Sequence, residues 1–308
     1  MASVSILMRA AGILFSIATA TSFSFGRTVP ASKSSLWMSS SSYARFLESN
    51  TFIFQLGEVK IFSDPVMSQL DFGIPIVYRG NKKVIDENLE LEIAAKTSDI
   101  VMISQSYDDH AHTPTLKKLA IMRPDMPYLC PPSAKALLMD CGIPEKMITT
   151  LLPGQKHEIA KGKTVVEILA TNGALLGPPW QQKENGYVMR SAASSTSFPS
   201  IYYEPHCMYD EVELKRIGPI DYVIAPVIAQ KLPGYVLVDG GKKALDLAKL
   251  LNAKFFIPMM NGGLKQEGVL SAIVTKEGSI DEFTRMAQAA LPKMKILDGS
   301  PGLEIVLI

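Results

Sequence analysis

Ile103-Ser104-Gln105-Ser106-Tyr107-Asp108-Asp109-His110-Ala111-His112 follows the apolar run Ile100-Val101-Met102 and precedes Thr113-Pro114. The run before it has the length and composition of a buried strand, and Thr-Pro makes a good N-cap and first-turn pair for a helix. The loop between them carries two adjacent carboxylates and two of the chain's four histidines. A strand end fixes such a loop in space, so acids and imidazoles placed there can build a metal or acid/base site. The same residues would also serve as a polar loop that caps the next helix. Spacing alone leaves both readings open.

Working outward, a helix is expected from Thr113 through Leu116 and Leu119 to a stop at Arg123-Pro124. A short strand at 128–130, a helix capped by Ser133 and ending at Gly142, and a strand at 148–152 follow. This βαβα alternation predicts helices covering a sheet. Upstream, 51–56 and 59–65 read as two strands around Gly57-Glu58, a hairpin signal, and an acidic stretch at 86–92 leads into the opening strand. Downstream the pattern changes to short strands at 157–159, 164–169, 186–189 and 200–203, separated by turn residues and therefore antiparallel. Helices at 211–217 and 242–251 each precede an apolar strand, at 222–225 and 255–258. A last amphipathic helix at 281–291 and a strand at 303–308 close the chain. The expected class is α/β, two mixed sheets face to face with helices outside.

Composition narrows the function. The chain has 308 residues, 47% hydrophobic and 20% charged, with a net charge of +1. That balance offers no electrostatic case for nucleic acid. Cys130, Cys141 and Cys207 are three in number with no CxxC, which points away from a disulfide scaffold and from a thiolate zinc site. Cys130 and Cys141 read as small core residues. No repeat of 20 to 50 residues is visible, so a solenoid is not expected.

The N-terminus reads as targeting sequence. An uncharged run from Ala10 to Gly26, between Arg9 and Arg27, resembles a signal-peptide core and is short for a membrane span. Seven serines lie between Ser32 and Ser42, and the first acidic residue of the chain is Glu48. A serine-rich, acid-free, basic segment is what an organellar transit peptide looks like. Signal plus transit peptide, joined near Thr21-Ser22-Phe23, resembles the two-part presequence of secondary plastids. A presequence over residues 1–43 and a domain over 44–308 are therefore expected, with plastid localisation and plain secretion as the alternative. Removing residues 1–43 leaves 28 bases against 30 acids, and no stable membrane span is expected in the mature chain.

Four stretches together resemble the metallo-β-lactamase superfamily, and within it a plant and algal lactonase-like branch. They are Ile61-Phe62-Ser63-Asp64-Pro65, the Ile103–His112 loop in place of an HxHxDH motif, Leu169 to Trp180 with Asn185-Gly186-Tyr187-Val188, and Ile201-Tyr202-Tyr203-Glu204-Pro205-His206. The resemblance implies a four-layer αββα sandwich. In that family the HxHxDH loop gives two histidines to one metal and an Asp-His pair to the other. Here Gln105 and Tyr107 stand where the two histidines would be, Glu204-Pro205-His206 replaces a Gly-Asp, and Met260 or Asn261 stands in for a last histidine.

The resemblance therefore implies an incomplete ligand set, in which Asp109, His110 and His206, with His112, hold one divalent transition metal, either zinc, iron or manganese. Asp108 or Glu204 would support the ligands or act as base, and Tyr107 would donate to a developing oxyanion. The substrate class would be a small ester, lactone or phosphate compound. The alternative is a binding or assembly protein that kept the fold and lost the dinuclear centre, its acids and imidazoles forming a metal-free polar network. His157 reads as a surface residue and Trp180 as a packing anchor or pocket lining.

Overall fold

The computed structural model describes residues 42–175 and 183–308. The presequence expected over 1–43 lies outside the described residues except for Ser42 and Tyr43, and Trp180 lies outside them too. The first half runs β1 (Tyr43–Phe46), β2 (Phe52–Leu56), β3 (Val59–Ser63), β4 (Arg79–Asn81), α1 (Glu87–Thr97), β5 (Ile100–Met102), α2 (Thr113–Met122), β6 (Tyr128–Cys130), α3 (Pro132–Asp140) and β7 (Ile148–Thr150). The second half runs β8 (Lys156–Lys161), β9 (Thr164–Asn172), β10 (Asn185–Ser191), β11 (Ile201–Tyr203), α4 (Glu211–Ile217), β12 (Tyr222–Pro226), β13 (Ala229–Leu232), β14 (Tyr235–Val238), α5 (Lys242–Leu250), β15 (Phe255–Met259), β16 (Lys265–Glu267), α6 (Val269–Ile273), β17 (Thr275–Glu277), α7 (Ile280–Ala290), β18 (Lys295–Ile296) and β19 (Glu304–Val306).

Two seven-stranded mixed sheets result. One has the order β19-β1-β2-β3-β5-β6-β7, the other β18-β15-β12-β11-β10-β9-β8. Strand alternation assigns their faces, because successive side chains point to opposite sides. Phe52 and Phe54 enter the core between the sheets, where they meet Ile168, Tyr187 and Tyr203. Ile53 and Phe62 face the other way, under Leu91 of α1, Leu116 of α2 and Leu138 of α3. Val188 and Val223 of the second sheet likewise pack under Leu214, Leu247 and Phe283 of α4, α5 and α7. Three cores between four layers are the αββα sandwich that the sequence led us to expect.

Several elements depart from expectation. The acidic stretch at 86–92 is the start of α1, capped by Asp86, whose Oδ1 accepts from Asn88 N at 3.2 Å and Leu89 N at 3.1 Å. Its inner stripe is hard to read because two members are alanines and a third, Glu90, is buried against the Arg45 guanidinium at 2.8 Å. Ser133 does not cap α3. Pro131 takes that place with Pro132 following, and Ser133 Oγ instead donates to Glu184 Oε2 at 2.8 Å. β1 and the two small sheets, β14-β13-β17 and β16-β4, carried no signal we read.

Candidate metal centre

The site forms where strands of both sheets end. β3 runs into Asp64-Pro65, and Asp64 is buried at a positive φ of 42° while its N–H still donates to Met102 O at 2.9 Å. A non-glycine residue pays strain there, of order 1–3 kcal/mol, so its surroundings must hold it. They do. Ser104, just past β5, donates its backbone N–H to Asp64 Oδ1 at 2.7 Å and its hydroxyl to Oδ2 at 2.6 Å. Tyr203, the last residue of β11, brings its hydroxyl to 2.7 Å from the same Oδ2 and so ties the second sheet to the first.

The loop after β5 folds back on itself, with Tyr107 O accepting from His110 N at 2.9 Å and Ala111 N at 2.7 Å. This turn buries the His110 ring, whose Nδ1 lies 3.0 Å from Asp64 Oδ2. A carboxylate can only accept, so Nδ1 carries the hydrogen and Nε2 is turned towards Asp109 Oδ2, 3.4 Å away. From the other sheet, β11 continues into Glu204-Pro205-His206, and Cys207 takes a φ of +54°. Glu204 Oε2 accepts from His206 N at 3.2 Å and Met208 N at 2.6 Å, a bend that swings the His206 ring to 5.0 Å from that of His110. Asp109, His110 and His206 then offer ligand atoms that all lie within 4.8 Å of one another.

The other expected site residues lie elsewhere or do other work. His112 is not part of this group, since its ring is buried beside α2 with Nδ1 2.8 Å from Thr115 Oγ1. Asp108 accepts from Thr113 N, the first amide of α2, at 3.1 Å, and the N-cap position falls on His112 rather than on Thr113 as expected. Tyr107 is half-buried and shapes the turn through its carbonyl. Glu204 is wholly buried and holds the His206 bend, and its Oε1 has no hydrogen-bond partner among the described residues. His157 is half-buried on the edge strand β8.

Three residues that the sequence reading did not assign to the site complete it. Asn50 Nδ2 donates to Asp109 O at 2.9 Å and lies 3.0 Å from His110 Nε2. Gln105 Nε2 meets His206 Nδ1. Asp64 orients His110, and its strand-ending Asp-Pro was the one signal that could have found it.

Charge follows this geometry. Burial opposes a proton on His110, but the carboxylates of Asp109 and Asp64 overcome it and hold the imidazole well above its ordinary value. Asp109, with its side chain 28% exposed, is moved in the complementary direction, burial being outweighed by the His110 charge. His206 is pushed down to about 3 by burial and by His110, so it is a neutral imidazole. Burial raises Glu204 to about 8.

One pair of these donors has the spacing of neighbouring ligands on a divalent cation, while the set as a whole lies within 4.8 Å. Bonds of about 2.0–2.1 Å to a tetrahedral ion put neighbouring ligand atoms about 3.4 Å apart, and Asp109 Oδ2 to His110 Nε2 is 3.4 Å. A carboxylate that orients a ligating histidine through its other nitrogen is the usual support at metal sites, and Asp64 supplies it.

A family model described as a beta-lactamase superfamily domain matches residues 44–260. No curated protein matches the chain. Among solved structures the chain is similar to Igni18, a metallo hydrolase from the archaeon Ignicoccus hospitalis, with a TM-score of 0.58 and 16% identity over 87% of this chain and 99% of that one. It is similar also to a possible metal-dependent hydrolase from Veillonella parvula, with a TM-score of 0.61 and 14% identity over 87% of this chain and 100% of that one. A third is CmlA, a diiron β-hydroxylase from Streptomyces venezuelae, with a TM-score of 0.62 and 13% identity over 88% of this chain and 55% of that one. At these identities the likeness is one of fold.

Proposed function

The chain belongs to the beta-lactamase superfamily, and from that premise we propose that it is a hydrolase using one divalent transition metal, held by Asp109, His110 and His206, on a small ester, lactone or phosphate compound. The observation that carries this reading is the convergence of one carboxylate and two imidazoles from both sheets, with His110 already oriented by Asp64. Zinc, iron and manganese all accept such a mixed N/O set. When bound, the cation supplies Lewis acidity and a source of hydroxide near neutral pH.

The chain's own residues set the conditions for that chemistry. Asp109 contributes the negative charge, and Asp64, held by Ser104 and Tyr203, fixes the ring of His110. Gln105 does the same for His206. Turned over, its amide presents Oε1, which has no partner among the described residues, to an Nδ1–H and leaves His206 Nε2 as the ligand atom. Asp108 is engaged by the first amide of α2, and Glu204, uncharged below about pH 8, lies beside His206. Its part is to position His206. Tyr107 stays our candidate for donation to the oxyanion.

One observation favours the alternative of a binding protein. Asn50 Nδ2 lies 3.0 Å from His110 Nε2 and 3.4 Å from Asp109 Oδ2, so an amide already bridges two of the three candidate ligand atoms. Elemental analysis of protein purified without chelators separates the two. Near-equimolar transition metal, with esterase or phosphodiesterase turnover lost in His110→Ala and kept in His157→Ala, supports the hydrolase. Substoichiometric metal that does not rise on adding zinc or manganese supports the binding protein. We further propose that residues 1–43 direct the chain to a plastid. A fluorescent fusion carrying only those residues tests this, and secretion of the fusion would refute it.

A further inference from the structure

Helix α6 reads Val-Leu-Ser-Ala-Ile and buries none of its five residues. A helix that apolar normally turns a stripe to the core. It rests on residues 71–78, Asp-Phe-Gly-Ile-Pro-Ile-Val-Tyr, with Leu270 N donating to Val77 O at 3.0 Å. Those residues make two successive turns, Ile74 N to Asp71 O and Val77 N to Ile74 O, both 2.9 Å, with Phe72 held at a φ of +51°. β4 and β16 pair alongside and join the two segments into one lip.

The lip has a fixed inner side and an uncovered outer one. Inside, Val66, Leu70, Tyr78 and Leu264 form a small core with Leu270 against it. Outside, Phe72 is 43% exposed, Ile74 37%, Ile76 74%, Val269 62% and Ile273 43%. Single exposed apolar residues are ordinary, but five on two hydrogen-bonded segments make a patch that calls for an occupant.

The charges on the same segments say which occupant. Arg79 folds its Nε onto Pro75 O at 3.1 Å, and Lys276 Nζ donates to Gly262 O at 2.8 Å, its charge disfavoured first by burial and then by Lys83. Asp71, the one acid of the 71–78 segment, turns its Oδ1 onto Gly73 N at 2.9 Å. Glu267 is taken by Lys265 at 3.7 Å and Glu277 by Lys231 at 2.6 Å. Arg79, Lys83 and Lys276 are left without an ion-pair partner among the described residues, in a chain whose overall charge is only +1. Apolar tips flanked by unpaired cations match apolar tails beneath anionic headgroups.

We propose that this lip docks on an anionic lipid bilayer, with Phe72, Ile76 and α6 seated at the headgroup boundary and Arg79, Lys83 and Lys276 against the headgroups. No helix among the described residues is long and apolar enough to cross a membrane, so the docking is peripheral. It holds whether or not a metal is bound.

Co-sedimentation of the full chain with vesicles tests the proposal. Wild type should pellet with phosphatidylcholine–phosphatidylglycerol vesicles, far less with phosphatidylcholine alone, and should be released at about 0.5 M salt, where surface attraction is screened within a few ångströms. Each exposed cation adds about fivefold to such binding, so the reversal in Lys83→Glu should weaken it by about tenfold or more. Ile76→Asp should have a comparable effect, and both sites are exposed enough to leave the fold intact. Phe72→Trp should gain a blue shift in emission on anionic vesicles beyond that of wild type, which reports the lip directly because the N-terminal apolar run is common to all variants. Equal pelleting of wild type and both charge variants, or no pelleting and no shift, overturns the proposal. So does a wild-type dimer that Ile76→Asp makes monomeric, which would assign the lip to a second copy of the chain.

Discussion

Glu204 is a carboxyl group kept protonated by its burial, and that has a measurable sign. Its folded value of about 8 lies above the ordinary 4.5, so between those values the folded state holds a proton that the unfolded state has lost. Stability therefore falls as pH rises through that window, by at most about 1.4 kcal/mol per pH unit. Chelator-treated Glu204→Gln protein should match wild type near the bottom of the window and be the more stable of the two at its top, on the order of 1–3 kcal/mol by urea midpoints. Parallel pH profiles for the two proteins would refute this. Asp64 makes a different prediction. Asp64→Asn removes the acceptor that orients His110, so affinity for zinc, read by competition with a chromophoric chelator, should fall about 10–100-fold with the fold retained. The sequence displayed Asp109, His110 and His206 but not what supports them. Asn50 and Gln105 touch candidate ligands 60 and 101 residues away; Gln105 stood out only as a replaced histidine, and nothing local marks Asn50 for that work.

Elements were legible where their own periodicity or turn chemistry made them. The β2–β3 hairpin could be read because Gly57-Glu58 parts two runs of β-branched and aromatic residues, and Gly57 does take the positive φ, +56°, that such a turn asks of a glycine. Helix α2 was announced by its Thr-Pro start. β1 was hidden, because its burial alternates within a segment whose composition reads as targeting sequence. The turn between β1 and β2 explains how Asn50 reaches the centre. Glu48 and Ser49 both take positive φ, 63° and 58°, and the Glu48 carboxylate accepts from Lys83 N, Val84 N and Ile85 N at 2.9–3.0 Å. Three backbone donors on one carboxylate pin the turn against the chain entering α1. Glu48→Ala should cost about 2–4 kcal/mol in a urea titration and lower metal affinity as Asn50 shifts. Ordinary affinity with ordinary stability would show that the turn does not set the site.

At the scale of the whole molecule, the sandwich was readable in outline because alternating strands and helices allow few layer arrangements. What connects the layers was not, since pairings such as β1 with β19 join opposite ends of the sequence. That pairing carries Ile305 and Leu307 into the central core. Removing residues 303–308 should therefore cost roughly 3–6 kcal/mol, the worth of two buried aliphatic side chains, and should bare an edge of the sheet that promotes aggregation. Urea midpoints and light scattering check this, and an unchanged midpoint would count against it. The arrangement bears also on the chain's synthesis. Arg45 Nε donates to Gly302 O across 257 residues, with β1 between the second strand and the last. On the ribosome β1 can therefore meet one neighbour, β2, almost at once and the other, β19, only when nearly all of these residues have emerged, so the outer edge of β1 is the last backbone of that sheet to find its partner.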